Sequence, residues 1–181
     1  YYPQVSLSDK EIFAEIKKER EVIGYYSLPY VDTTVLKTRL DDLNFPQKQI
    51  AIIGIGGSTL GTYAIYNFMK YNKQHNKSLK KELFFFESTD PVNLNGTLAQ
   101  LNLSDTLFIV ISKSGTTIET ISIFKYLMSI TKIDKSNLLV ITEDDSKLNT
   151  FAKANDVNTF DIPKNVGGRF SVLSNVGLVP L

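Results

Sequence analysis

Short runs of uninterrupted apolar residues constrain this chain more than any other feature. Four are clear: Ile50–Ile53, Leu83–Phe86, Leu107–Ile111 and Leu138–Ile141. A weaker fifth runs from Val157 to Phe160. A strand with one wet face alternates apolar and polar residues, whereas a strand covered on both faces does not. Such runs therefore predict a parallel sheet held between two layers of helices. Helix-length segments at 59–71, 92–101, 116–130 and 146–154 separate the runs. Alternation at this spacing predicts βαβ units with right-handed crossovers. The expected fold is α/β, a three-layer αβα sandwich on a five-stranded parallel sheet. Open sheets of this kind bind ligands beyond the carboxyl ends of their strands, so chemistry belongs in the loops that follow them.

Two helices are expected ahead of the sheet. Residues 5–23 set Leu7, Ile12, Ile16 and Ile23 among lysines and glutamates, with Ser8 and Glu11 in a capping-box pattern. Residues 32–43 put Val35, Leu36, Leu40 and Leu43 on one face. Residues 1–45 thus read as a helical lead-in to a domain at 46–181.

Charge and composition remove several function classes. The 20 basic and 19 acidic side chains nearly cancel, which leaves no basic excess for nucleic acid or an anionic membrane surface. With no cysteine, thiol catalysis, Cys-based zinc sites and disulfides are excluded, and a reducing cytoplasm suits the chain. The single histidine, His75, sits in Asn72–Lys77 and reads as a solvated surface residue, as do Lys70, Lys73, Lys77, Lys80 and Lys81. A histidine triad, a metal site and a cofactor are not expected. No apolar run approaches the roughly 18–20 residues that span a bilayer. The chain starts without Met and stops inside the apolar Val179-Pro180-Leu181, so it reads as a piece of a longer protein.

The first apolar run opens into Gly54-Ile55-Gly56-Gly57-Ser58-Thr59-Leu60-Gly61. Glycines here let backbone approach a ligand, and Ser58 falls near a helix N-terminus that favours an anion. A dinucleotide fingerprint fails because position 59 is Thr, and a nucleotide P-loop fails because Thr62 stands where its lysine belongs. A purely structural tight turn is the competing reading. The third run opens into Ser112-Lys113-Ser114-Gly115-Thr116-Thr117, which packs four hydroxyls and a lysine into six positions at the mouth of a helix. Hydroxyls, free N–H groups and the helix dipole together suit a phosphate. One or two hydroxyls would suffice merely to cap the helix. The fourth run ends in Glu143-Asp144-Asp145-Ser146, an acidic turn expected to cap the following helix. Finally, Gly167-Gly168-Arg169 puts a guanidinium on a glycine turn. It suits charge stabilisation of an oxyanion or phosphate, or binding to carbonyls at a helix end.

Three stretches, GIGGSTLG (Gly54–Gly61), SKSGTTIET (Ser112–Thr120) and GGRFSVLSNVGLVPL (Gly167–Leu181), resemble the glucose-6-phosphate isomerase family. Glu87-Ser88-Thr89-Asp90-Pro91 resembles its turn after the second strand. The resemblance runs from about residue 50 to the end. It implies a sugar-isomerase (SIS) domain and an aldose–ketose isomerase acting on glucose 6-phosphate and fructose 6-phosphate. By position, Ser112, Ser114 and Thr117 would bind the substrate phosphate through their side chains, and Lys113 and Thr116 through the backbone. Gly57 and Ser58 would line the sugar side, and Arg169 would stabilise the enediolate. Glu119 would stand behind the phosphate loop and not act as the base. The family's ring-opening histidine, base glutamate and late lysine have no match here, so a lone domain is expected to be inactive, and the full-length enzyme to be a homodimer. A non-catalytic phosphosugar-binding module and another phosphosugar isomerase remain as alternatives.

Overall fold

The computed structural model describes residues 8–20, 22–71 and 81–181. Helices α1 (Asp9–Glu19) and α2 (Thr34–Leu43) lead into β1 (Gln49–Ile53) and α3 (Leu60–Tyr71). Then follow β2 (Glu82–Phe86), α4 (Pro91–Leu98), β3 (Thr106–Ile111), α5 (Ile118–Ile130), β4 (Leu138–Thr142), α6 (Lys147–Ala154), β5 (Asn158–Asp161) and a short α7 (Asn175–Leu178). The strands form one parallel sheet in the order β2-β1-β3-β4-β5.

The apolar runs are continuous because both faces of the sheet are covered. Side chains alternate along a strand. Ala51, Ile53, Phe108, Val110, Leu138 and Val140 therefore face one layer, with Leu94 of α4, Ile123, Phe124 and Leu127 of α5, and Leu148 of α6. Ile50, Ile52, Leu107, Ile109, Leu139 and Ile141 face the other, with Tyr66 of α3 and Val176 of α7. Phe108, Ile52 and Ile109 are wholly inaccessible, and burial of each such side chain contributes about 1.5–3 kcal/mol.

The lead-in differs from expectation in detail. The capping box exists, since the Glu11 carboxylate accepts from the Ser8 N–H at 2.8 Å. The apolar stripe of α1 is only partly covered, however: Ile12 is exposed, while Ile16 and Ile23 are half-buried. In α2, Leu36, Leu40 and Leu43 pack on the sheet. Val35 instead points away and is 77% exposed, because a helix flanking a sheet at one edge buries a narrower stripe than the apolar spacing implied. Arg39 fixes α2 to β5 by donating to the Thr159 carbonyl at 2.8 Å and lying 4.2 Å from the Phe160 ring centre.

Lys81 is not a solvated surface lysine. Its ammonium donates to the carbonyls of Phe45 and Gln47, and partial burial pushes its pKa down. His75, Lys73, Lys77 and Lys80 lie outside the described residues. Among those described, no helix is long and apolar enough to cross a membrane, and no acidic or histidine cluster could hold a metal.

Candidate functional site

The strand order places the site. From β1 the chain steps to β2 on one side, and from β3 it proceeds through β4 and β5 on the other. The loops after β1 and β3 therefore diverge at the carboxyl edge and leave a crevice between them, the usual ligand position in such sheets. The glycine loop and the hydroxyl loop are those two loops.

After β3, Ser112 is buried and its Oγ lies 3.1 Å from Thr117 Oγ1. Ser114 Oγ accepts from the Thr116 N–H at 3.3 Å and is 3.1 Å from its hydroxyl. Gly115 has φ +67°, a left-handed conformation that suits glycine. A β-carbon there would come within 2.8 Å of Ser146 Cβ and 2.9 Å of Leu148. Thr117 is the N-cap residue of α5, yet its side chain makes no capping hydrogen bond. The hydroxyls thus bond to one another and not to the first turn of α5, which leaves that turn's N–H groups uncapped by Thr117. A helix start of this kind carries roughly half a positive charge, and Thr117 does not cap it.

The loop is held from behind by β4. Thr142 donates its hydroxyl to the Ser112 carbonyl at 2.7 Å and lies 2.7 Å from Ser146 Oγ. The Glu143 N–H donates to the Lys113 carbonyl at 3.2 Å. The acidic turn caps α6, as expected, but no carboxylate does so. The Ser146 hydroxyl does, accepting from the Asn149 N–H at 3.0 Å, because a serine at the cap position outcompetes carboxylates one and two residues earlier. The carboxylates pair with lysines instead: Glu143 lies 3.5 Å from Lys113, and Asp145 lies 2.7 Å from Lys164, whose hydrogen bond holds the exposed carboxyl below its ordinary pKa.

Lys113 does not aim its charge into the loop. Its ammonium donates to the Lys164 carbonyl at 2.8 Å and the Val166 carbonyl at 2.9 Å. It straps the hydroxyl loop to the segment leading into Gly167-Gly168-Arg169. Glu119, in the first turn of α5, is half-buried.

Across the crevice, Gly56–Ser58 form a 3-10 turn ahead of α3, with Ser58 half-buried. Gly57 meets the turn at Gly168–Phe170. A β-carbon at Gly57 would come 2.3 Å from the Gly168 carbonyl oxygen. Ser171 Oγ donates to the carbonyls of Gly168 at 2.7 Å and Gly57 at 3.3 Å. Arg169 is exposed and, among the described residues, its guanidinium has no hydrogen-bond or ion-pair partner. Tethering to helix-end carbonyls is therefore not what it does.

The structure thus brings the hydroxyl loop, the glycine loop and the Arg169 turn to one edge of the sheet. Sequence reasoning missed Thr142 and Ser146 as supports of the hydroxyl loop. Their signal was modest: a threonine closing an apolar run and a serine three residues before Asn149.

A phosphoglucose isomerase family model matches residues 46–181. The chain is 42% identical to a glucose-6-phosphate isomerase from Campylobacter jejuni over 168 residues, covering 88% of this chain and 40% of the relative. Among solved structures, a hypothetical protein from Thermus thermophilus superposes with TM-score 0.75 at 30% identity, covering 94% of this chain and 41% of that one. A glucose-6-phosphate isomerase from Chlamydia trachomatis superposes with TM-score 0.68 at 26% identity, covering 99% and 32%. The fold is that of sugar-isomerase (SIS) domains. The chain spans about 40% of the length of the first curated relatives it matches.

Proposed function

We propose that this chain, which belongs to the phosphoglucose isomerase family, is the phosphate-binding domain of an enzyme interconverting glucose 6-phosphate and fructose 6-phosphate. The observation that supports this best is the Ser112–Thr117 loop. Its hydroxyls face one another at 3.1 Å, clear of the α5 amides. A phosphate dianion seated there would accept from Ser112, Ser114 and Thr117 side chains and from backbone N–H groups at Lys113 and Thr116. Hydrogen bonds to a charged group contribute about 1.5–3 kcal/mol each.

With the phosphate anchored, the reacting end of the sugar extends past Gly57 and Ser58 towards Arg169. Isomerisation moves a proton from carbon 2 to carbon 1 through an enediolate, whose negative charge a guanidinium on a preorganised turn would stabilise. The base lies outside the motifs matched here, and Glu119 supports the loop without serving as that base. The domain at 46–181 works within a longer chain, a cytoplasmic homodimer of glycolysis and gluconeogenesis without metal or cofactor.

The test is a coupled isomerisation assay of the full-length protein and its Thr117→Ala variant. The variant is expected to raise KM for glucose 6-phosphate about tenfold to hundredfold, through loss of one hydrogen bond to the phosphate. An unchanged KM would mean that the hydroxyls serve only the loop's own structure.

A further inference from the structure

The turn that carries Arg169 is held from three directions, and one of them is the lead-in, outside the residues the family model matches. From the hydroxyl loop, Lys113 binds the carbonyls at 164 and 166. From the glycine loop, Gly57 meets Gly168 and its carbonyl accepts from Ser171. From the lead-in, the Gly24 N–H donates to the Asn165 carbonyl at 3.0 Å, and Tyr25 stacks on Phe170 with ring centres 4.7 Å apart and planes at 29°. Tyr25 is itself backed by Tyr26 at 4.4 Å, and the Tyr26 hydroxyl donates to Glu19 of α1 at 2.8 Å.

Phe170 is the neighbour of Arg169 in the same 3-10 turn and remains 53% exposed. An exposed ring does not hold a turn by burial in a core. Stacking on Tyr25 is what restrains it from the solvent side, where the turn's own glycines give no stiffness.

We infer that Tyr25 is a positioning residue for Arg169, acting through the Phe170 ring. This rests on the proposed role of Arg169 in stabilising the enediolate. The lead-in is then a buttress that sets the guanidinium's place over the crevice. Displacements of about 1 Å at a reacting centre cost rate far more than binding. The phosphate anchor lies on the hydroxyl loop, which Tyr25 does not touch through the Phe170 stack. Loss of Tyr25 should therefore separate turnover from substrate binding.

The experiment has two arms, each run on Tyr25→Ala, on Tyr25→Phe, and on Phe170→Leu, which removes the same stack from the other side. The first arm measures tryptic cleavage after Arg169, located by mass spectrometry, in the 181-residue chain. Cleavage is expected to quicken several-fold in Tyr25→Ala and Phe170→Leu, with cleavage elsewhere unchanged, and to stay at the parent rate in Tyr25→Phe. The second arm measures isomerisation by the full-length protein. There kcat is expected to fall about tenfold in Tyr25→Ala and Phe170→Leu with KM within about twofold, and to recover in Tyr25→Phe. Unchanged cleavage after Arg169 in both disrupting variants overturns the proposal. So does a fall in kcat matched by a rise in KM, or a failure of Tyr25→Phe to recover. If the parent protein does not isomerise, the reading of Arg169 fails, and the cleavage arm still decides whether Tyr25 holds the turn.

Discussion

Gly57→Ala in the full-length protein is expected to lower kcat/KM about a hundredfold while the sheet stays folded. The added β-carbon would lie 2.3 Å from the Gly168 oxygen, 2.4 Å from its carbonyl carbon and 2.8 Å from the Arg169 nitrogen. All three are backbone atoms, so no side-chain rotation relieves the contact. Ordinary contact begins near 3.4 Å, and the Arg169 turn must retreat by about 1 Å to reach it. The strands are unaffected because Gly57 lies beyond β1. Gly168→Ala is the control: nothing stands within 4 Å of its β-carbon, and its backbone is not left-handed. Its activity is expected to stay within about twofold of the parent. Equal losses in the two variants would show that contact between the glycine loop and the Arg169 turn is not what matters.

Arg169→Met should remove charge stabilisation and keep much of the side chain's bulk. Loss of one preorganised donor to a developing oxyanion typically costs about a hundredfold to a thousandfold in kcat. On the proposed reading a different loop holds the phosphate, so KM is expected to move little. Arg169→Lys should recover only part of the rate, since an ammonium lacks the planar fork of donors. Steady-state kinetics on the three proteins decide the matter. A rise in KM with kcat intact would make Arg169 a substrate-binding residue only.

The fold was legible because burial on both faces of a sheet leaves an unmistakable pattern. Ile50–Ile53 and Leu107–Ile111 are apolar at every position because each strand feeds both layers. The hydroxyl and glycine loops were legible as well, for they follow those strands directly. Contacts between distant segments were not. The resemblance implied a backbone role for Lys113 and said nothing of its ammonium, which reaches carbonyls 51 and 53 residues away. The stack of Tyr25 on Phe170 joins residues from opposite ends of the chain, and no local spacing encodes it. Val35 fits a helical stripe yet is exposed, because periodicity gives a face without saying how much of it the sheet will cover.

The central assignment is a phosphate seat at Ser112–Thr117. The most direct measurement is amide NMR of the 181-residue chain titrated with glucose 6-phosphate, inorganic phosphate and glucose. Glucose 6-phosphate is expected to shift the amides of residues 112–119 first, with Gly57 and Ser58 following, and inorganic phosphate to shift the first group alone. Glucose should shift neither. Shifts of comparable size with glucose, or phosphate-induced shifts that leave residues 112–119 untouched, would contradict the assignment.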